Sequence, residues 1–266
     1  GGSAAVDWRF NGWGGRGDPS DASLAHALLG AAEVRRFRAP LTIEGSNFVG
    51  DGRGTLLALA SAVFDKGSNP ALTQIEALGF FQGWLGTEQV IWLPGSHPGD
   101  RLNTGISTLA TFIAPGRVAI THPGDNALLA QISERLQHAQ DWSGKTLELI
   151  RFPAPTKGRG TLRHFLSYKN YLPVNGGLLV PAFDTPRDAR AADILAEAFP
   201  DRVIQPVPAT ILAEAGITLT SLGLPHPARL LERDRATVFP RAAWRNPTPG
   251  AEGLLQHYAD LAEREH

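Results

Sequence analysis

Two carboxylates and an amide lie within a short glycine-rich stretch whose composition suits the binding of a small polar ligand. Residues 43–55 read IEGSNFVGDGRGT, and the apolar Leu41 comes shortly before them. This pattern predicts an incoming strand that includes Leu41, a tight turn at the DGRG tetrapeptide and a returning strand. Glycines let a ligand approach the backbone closely. We therefore expect Glu44, Asn47 and Asp51 to contact a polar ligand at this hairpin.

Each candidate residue also has a purely structural explanation. An aspartate in a turn often accepts hydrogen bonds from its own backbone, which would explain Asp51, and a local partner would explain Glu44. Asn170 lies between Tyr168 and Tyr171 in a predicted strand. Its amide could contact a substrate or satisfy a neighbouring loop. The residue types alone leave both explanations open.

The composition is that of a globular protein without a strong charge bias. The 266 residues are 42% hydrophobic and 19% charged, and 25 basic against 26 acidic side chains give a net charge of −1. This balance gives no electrostatic footprint for nucleic acid or for an acidic membrane surface. No apolar run approaches the roughly 20 residues that a spanning helix needs, and residues 1–5 do not resemble a signal peptide. We expect a cytoplasmic protein.

The sequence contains no cysteine, which excludes several kinds of chemistry within these residues. Disulfides, thiolate metal sites and thiol nucleophiles are all ruled out. His122, His164 and His226 do not have the spacing of metal ligands. We therefore expect neither a metal nor a cofactor.

A unit of hairpin, helix and strand recurs along the chain at intervals of about 60 residues. Helices are predicted at residues 20–34, 72–85, 126–140 and 187–199, and strands at residues 6–11, 89–94, 109–113, 117–121, 146–151, 165–172, 178–181 and 202–207. Alternating strands and helices indicate an α/β fold, although the hairpins argue against a plain doubly wound sheet. Repeated units of this size predict a closed ring, which leaves no exposed sheet edge.

A series of short motifs is spread along the chain. They are VDWRFNGWGG from Val6, EGSN from Glu44, VIWLP from Val90, SYKNY from Ser167, NGG from Asn175 and FP at Phe199. In this order the motifs resemble the agmatine deiminase family, which includes the bacterial-type peptidyl-arginine deiminases, over roughly residues 4–225. The resemblance implies the pentein fold of the guanidine-modifying superfamily, a five-bladed α/β propeller.

The resemblance also implies a reaction, the hydrolysis of a guanidinium group to a ureido group with loss of ammonia. In the family a cysteine thiolate attacks the guanidinium carbon, a histidine moves protons and two carboxylates bind the planar cation. The chain departs from the family at these positions. Gly105 replaces the histidine, Ser107 replaces a carboxylate and Leu219 replaces the cysteine.

The surrounding pocket residues of the family are retained, whereas its reacting groups are not. The retained positions are Glu44, Asn47, Asp51, Asn170 and Trp13. The resemblance therefore implies a catalytically silent relative whose ligand is a small guanidinium compound such as agmatine, arginine or peptidyl-arginine, or whose role is to bind a partner.

Two alternatives follow from the same residues. The first is an active hydrolase with different chemistry, in which Glu44 or Asp51 activates water. It requires a carboxylate of raised pKa in a concave pocket. The second is an engineered or incomplete deiminase that another chain or segment completes. A homodimer is compatible with each of these hypotheses.

The composition changes after Pro225, which suggests a boundary. We assign residues 1–228 to the pentein-like core and residues 229–266 to a C-terminal part. An amphipathic helix is predicted over residues 253–265. Residues 234–244 and 254–263 are faintly similar to the opening of family members, so this part is either a permuted first module or an unrelated extension.

Overall fold

Four strand-and-helix units follow one another along the part of the chain that the structure describes. The structure is a computed structural model that describes residues 4–12, 18–95, 105–124, 126–155 and 165–223. In every unit a helix connects two parallel strands. The predicted α/β class is therefore confirmed, whereas the closure of the units into a five-bladed propeller stays a prediction.

The first unit pairs two strands. Its elements are β1 (Ala4–Arg9), α1 (Leu24–Ala31) and β2 (Arg35–Thr42). β1 and β2 are parallel, with Val6 opposite Phe37. Leu41 therefore belongs to β2, so the expectation that it starts the following hairpin is wrong.

The second unit contains the glycine-rich hairpin. Its elements are β3 (Phe48–Gly50), β4 (Thr55–Leu59), α2 (Ala60–Val63), α3 (Gln74–Leu85) and β5 (Gln89–Leu93). β3 is antiparallel to β4, and β4 is parallel to β5. The turn between β3 and β4 requires glycine, because φ is +71° at Gly52 and +118° at Gly54. A capping box between Thr73 and Glu76 explains where α3 begins.

The third and fourth units repeat this order. They comprise β6 (Ala110–Ala114), β7 (Arg117–Thr121), α4 (Ala127–Gln137) and β8 (Glu148–Phe152), then β9 (Leu172–Val174), β10 (Gly177–Ala182), α5 (Arg187–Ala198) and β11 (Val203–Pro208). In both units the first two strands are antiparallel and the last two are parallel. The short helix α6 (Thr210–Glu214) follows.

The middle strand of each complete unit is buried. All five residues of β4 are buried, as are Val118 to Ile120 of β7. Apolar side chains from neighbouring units form shared cores: Leu57 and Ile91 pack with Phe112 and Ile120, and Phe152 packs with Val180. Within the described ranges no helix combines the length and apolarity that crossing a bilayer requires.

One predicted strand is wrong in a way that concerns the candidate site. Residues 165–172 were expected to form a strand, but β9 begins only at Leu172. The preceding residues form a turn in which the backbone N–H of Asn170 donates to the backbone carbonyl of Ser167 at 3.2 Å. The C-terminal part, residues 229–266, lies outside the described residues.

Candidate ligand site

Three turns, each directly before the first strand of a unit, carry the candidate residues. A 3₁₀ turn at Gly45–Asn47 precedes β3, and another at Ile106–Thr108 precedes β6. The turn containing Asn170 precedes β9. The first two turns contact each other, as do β3 and β6. The repeat of the units thus places equivalent turns side by side.

Glu44 and Asn47 form one side of the site. The Asn47 backbone amide donates to the Glu44 carbonyl at 2.9 Å, and Asn47 Nδ2 donates to Glu44 Oε2 at 3.2 Å. Asn47 is only 3% exposed, and its Oδ1 has no hydrogen-bond partner among the described residues. A buried acceptor without a partner is costly, so a ligand N–H group at this point would be stabilised.

Ser107 and Asn170 form the other side. Ser107 Oγ donates to Asn170 Oδ1 at 2.7 Å, across 63 residues of sequence. Asn170 is 2% exposed, and its Nδ2 lacks a partner in the described part of the chain. A rotated amide would donate Nδ2 to the hydroxyl and leave Oδ1 unpaired instead. Either orientation leaves one buried amide atom of Asn170 without a described hydrogen-bond partner.

Gly105 lies against the first turn. A Cβ added to Gly105 would be 2.8 Å from the Ser46 carbonyl oxygen and 2.9 Å from Ser46 Cβ. Both separations are below 3.0 Å, which is closer than a Cβ atom approaches a neighbouring heavy atom in real proteins. Any side chain at this position would therefore displace the backbone of the neighbouring turn. The site is therefore built around the absence of a side chain at Gly105.

Leu219 begins a 3₁₀ turn at Leu219–Leu222 and is 4% exposed. Its aliphatic side chain offers no nucleophile, donor or acceptor. At the position where the family resemblance implies a reacting thiolate, the chain thus has a buried apolar group.

Asp51 does not join Glu44 and Asn47. It lies at the opposite end of β3, separated from Asn47 by roughly 13 Å of extended chain. Its Oδ1 accepts from the backbone amides of Arg53 at 2.7 Å and Thr55 at 2.9 Å, so it shapes the hairpin turn. The remaining candidate, Trp13, lies outside the described residues.

Sequence reasoning missed Lys169, the neighbour of Asn170. Lys169 is 2% exposed, and its Nζ donates to Ser167 Oγ at 3.1 Å and to Thr121 Oγ1. Burial without a facing carboxylate in the described residues lowers the pKa of the Lys169 ammonium from 10.5 to about 7. The sequence signal that could have identified it is the position of a lysine between two tyrosines in the stretch SYKNY, whose five residues are all buried.

No group of three or more His, Asp or Glu side chains in the described ranges is placed to hold a metal ion. The site consists instead of one carboxylate, two amides and a hydroxyl on adjacent turns. Such a set can bind a small planar molecule through hydrogen bonds and charge. These features define a class: an α/β protein of repeated units with a cluster of buried polar groups at the boundaries between units.

Comparison with known proteins identifies the family within this class. The model of the Porphyromonas-type peptidyl-arginine deiminase family matches residues 2–222. The chain belongs to this family, which includes the agmatine deiminases and lies within the pentein superfamily. The resemblance inferred from the motifs is confirmed.

Curated relatives match most of this chain. A protein of Streptomyces avermitilis, provisionally named an agmatine deiminase, is 33% identical over 232 residues, covering 81% of this chain and 67% of its own length. The agmatine deiminase of Pseudomonas aeruginosa (strain LESB58) is 29% identical over 254 residues, covering 84% and 69%. For a similar Legionella pneumophila protein the chain spans only 64% of the relative's length.

A solved structure shows the same architecture. Agmatine deiminase of Enterococcus faecalis has a TM-score of 0.78 and 26% identity, covering 85% of this chain and 70% of its own. Agmatine deiminase of C. jejuni, solved with substrate bound, has a TM-score of 0.72 at 24% identity, which supports the shared fold alone.

Proposed function

We propose that this chain is a catalytically silent member of the deiminase family that binds a small guanidinium-like ligand at Glu44, Asn47 and Asn170. The proposal combines the family membership with three positions, Gly105, Ser107 and Leu219, that lack the groups the reaction needs. Because the cysteine and the histidine act as a unit, the loss of either typically lowers the rate by several orders of magnitude.

The observation that carries the proposal is the contact between Gly105 and Ser46. A histidine at position 105 would place its Cβ 2.8 Å from a backbone oxygen. The neighbouring turn would have to move before a proton-shuttling side chain could fit. Position 105 thus lacks a base for two reasons: the residue is glycine, and the packing of the two turns leaves no room for a larger side chain.

Ser107 supports the same interpretation. A carboxylate here would add negative charge to bind a cation, whereas the serine hydroxyl is neutral and bonded to Asn170 at 2.7 Å. Glu44 remains as the charged group of the described site. A site with one carboxylate binds a guanidinium less tightly than the two-carboxylate arrangement implied by the family.

The retained groups still match a planar ligand that carries several N–H donors. Glu44 provides a carboxylate, and Asn47 Oδ1 is a buried acceptor without a described partner. Asn170 can present either its oxygen or its nitrogen, since the Ser107 hydroxyl accepts as readily as it donates. Agmatine, arginine and peptidyl-arginine all provide such a group, and the agmatine-containing names of the relatives make agmatine the first compound to test.

The alternative of an active hydrolase requires a carboxyl group of raised pKa in the site, with Glu44 or Asp51 as the candidate. Asp51 shapes the hairpin turn through the backbone amides of Arg53 and Thr55, so Glu44, beside the Asn47 amide, is the better placed of the two.

The alternative of an incomplete deiminase has one supporting observation. The first unit pairs two strands among the described residues, whereas each of the other three units pairs three. A strand from another chain or segment could extend β1. A cation site completed in this way would show binding only in the assembled form, which makes the oligomeric state a necessary control.

The proposal is tested by calorimetric titration of the protein with agmatine and with arginine. Glu44→Gln removes the charge and keeps the shape, so we expect it to weaken binding at least about tenfold. Glu148→Gln is the matched control, because Glu148 is an exposed carboxylate paired with Arg117. Equal affinity in Glu44→Gln and wild type, or no heat from either compound, would overturn the proposal.

A further inference from the structure

A second pocket lies at the far end of β3 from Glu44. It has a volume of about 310 Å³, and Asp51, Phe112, Pro115, Tyr171, Phe199 and Arg202 are among its lining residues. The pocket lies where the hairpin turns of the second and third units meet β9 and the end of α5. This volume is at the lower limit of small-molecule sites, which suits a compact ligand.

The pocket carries two opposite charges that do not pair with each other. No ion pair joins Asp51 and Arg202, although both line the same described cavity. Asp51 Oδ1 is held by the turn amides of Arg53 and Thr55, and its Oδ2 accepts no hydrogen bond from the described residues. The charge of Asp51 is therefore fixed in position and has a free lone-pair direction.

Arg202 is fixed in a complementary way. Its Nη1 donates to the carbonyls of Val174 at 2.9 Å and Gly177 at 3.5 Å. Among the described residues nothing accepts from Nε or Nη2. This edge of the guanidinium group has the spacing that binds both oxygens of a carboxylate.

Apolar side chains form the walls between the two charges. The rings of Tyr171 and Phe199 are 5.7 Å apart in an edge-on arrangement with an interplanar angle of 65°. The Tyr171 hydroxyl donates to the Phe112 carbonyl at 3.2 Å, so its polar atom is already satisfied and its ring provides apolar surface. Such walls accommodate methylene groups.

We propose that this pocket binds a small zwitterion, with a cationic amine at Asp51, a carboxylate at Arg202 and a short methylene chain along Tyr171 and Phe199. The chemical class is that of the ω-amino acids. An ω-amino acid is favoured because its methylene chain would bury apolar surface against the Tyr171 and Phe199 rings, whereas glycine has a single methylene group. The site is separate from the proposed guanidinium site, because β3 lies between Asp51 and the turn that carries Glu44 and Asn47. Agmatine also carries no carboxylate for Arg202.

The test is a calorimetric or ligand-detected NMR titration with glycine, γ-aminobutyrate and δ-aminovalerate. We expect saturable binding of at least one ω-amino acid and none of glycine at the same concentration. Arg202→Lys keeps the charge but loses the two-pronged edge, so its affinity should fall at least about fivefold, and Arg202→Gln should lose binding. Arg117→Gln, at an exposed ion pair on β7, is the matched control and should bind as wild type.

Two further measurements separate this proposal from the guanidinium site. Asp51→Asn retains an acceptor for the turn amides, so its thermal unfolding should stay close to that of wild type while zwitterion binding is lost. Agmatine binding should be the same in wild type and Arg202→Gln. Absence of saturable ω-amino acid binding, or unchanged binding in Arg202→Gln, would overturn the proposal whatever the result with agmatine.

Discussion

Gly105 and Ser46 fit together only because residue 105 has no side chain: a Cβ there would lie 2.8 Å from the Ser46 carbonyl oxygen and 2.9 Å from Ser46 Cβ. Each residue belongs to the turn that begins a different unit, so their contact joins the second and third units at the candidate site. The arrangement places the Ser46 side chain against residue 105, the position where the family resemblance implies a histidine.

Gly105→Ala should destabilise the protein. The backbone conformation of Gly105, with φ of −57°, is accessible to alanine, so the loss of unfolded-state entropy favours the variant slightly. The clash with the Ser46 backbone oxygen outweighs this gain, and we expect a net loss of about 1 to 2 kcal/mol in the free energy of unfolding. Urea denaturation measures the change.

Gly79→Ala provides the matched control for that substitution. Gly79 lies inside α3, and a Cβ there would meet nothing within 4 Å. Alanine should raise the free energy of unfolding by about 0.5 to 1 kcal/mol through helix propensity. If Gly105→Ala were as stable as Gly79→Ala, the turns would be free to separate and the packing argument against a base at position 105 would be wrong.

Ser107→Asp should strengthen agmatine binding by about tenfold, because a second carboxylate would face the cation and Asn170 could rotate to donate Nδ2 to it. Asparagine has the size of aspartate but no charge, so we expect Ser107→Asn to bind agmatine no better than wild type. Calorimetric titration of both variants isolates the effect of charge. Equal affinities in the two variants would show that position 107 does not face the ligand.

Lys169 should make the stability of the protein depend on pH in an unusual direction. Its pKa is about 7 in the folded chain against an ordinary value of 10.5. Between these values the unfolded chain binds the proton and the folded chain does not, so stability should rise with pH, by up to about 1.4 kcal/mol per unit. Below about pH 7 both states are protonated and the cost of burying the charge is complete.

Lys169→Met removes this dependence and should exceed wild type in the free energy of unfolding by roughly 2 to 4 kcal/mol near pH 6. The difference should shrink as the pH approaches 10. Urea denaturation at a series of pH values gives both curves, and Lys66→Met, at an exposed lysine, should follow wild type throughout. A constant difference between wild type and Lys169→Met across the range would mean that Lys169 keeps its ordinary pKa.

The elements of the fold were largely accessible from the sequence because their signals are local. The helix predicted at residues 72–85 corresponds to α3, which the Thr73 cap starts at Gln74. The glycines of the β3–β4 turn reverse the chain where the sequence predicts a turn, although the incoming strand is β3 and does not include Leu41. The strand predicted before β9 is wrong because its residues have strand-like types, whereas in the folded chain they form a turn in which Lys169 donates to Ser167 Oγ and to Thr121 Oγ1. Those partners become visible only in three dimensions.

The candidate site was predictable in part. The hairpin pattern identified Glu44 and Asn47, which do share one turn. It also grouped Asp51 with them, because spacing along the sequence does not show that β3 carries Asp51 to the other end of the strand. The bond between Ser107 and Asn170 spans 63 residues, so no local pattern could reveal it.

The most direct test of catalytic silence is an assay for ureido product with agmatine and with arginine, run beside the agmatine deiminase of Pseudomonas aeruginosa as a positive control. Heats of agmatine binding are measured on the same sample. We expect the protein to bind agmatine and to form no product above the uncatalysed rate, while the control enzyme turns over. Product formation at a rate comparable to the control would contradict the account.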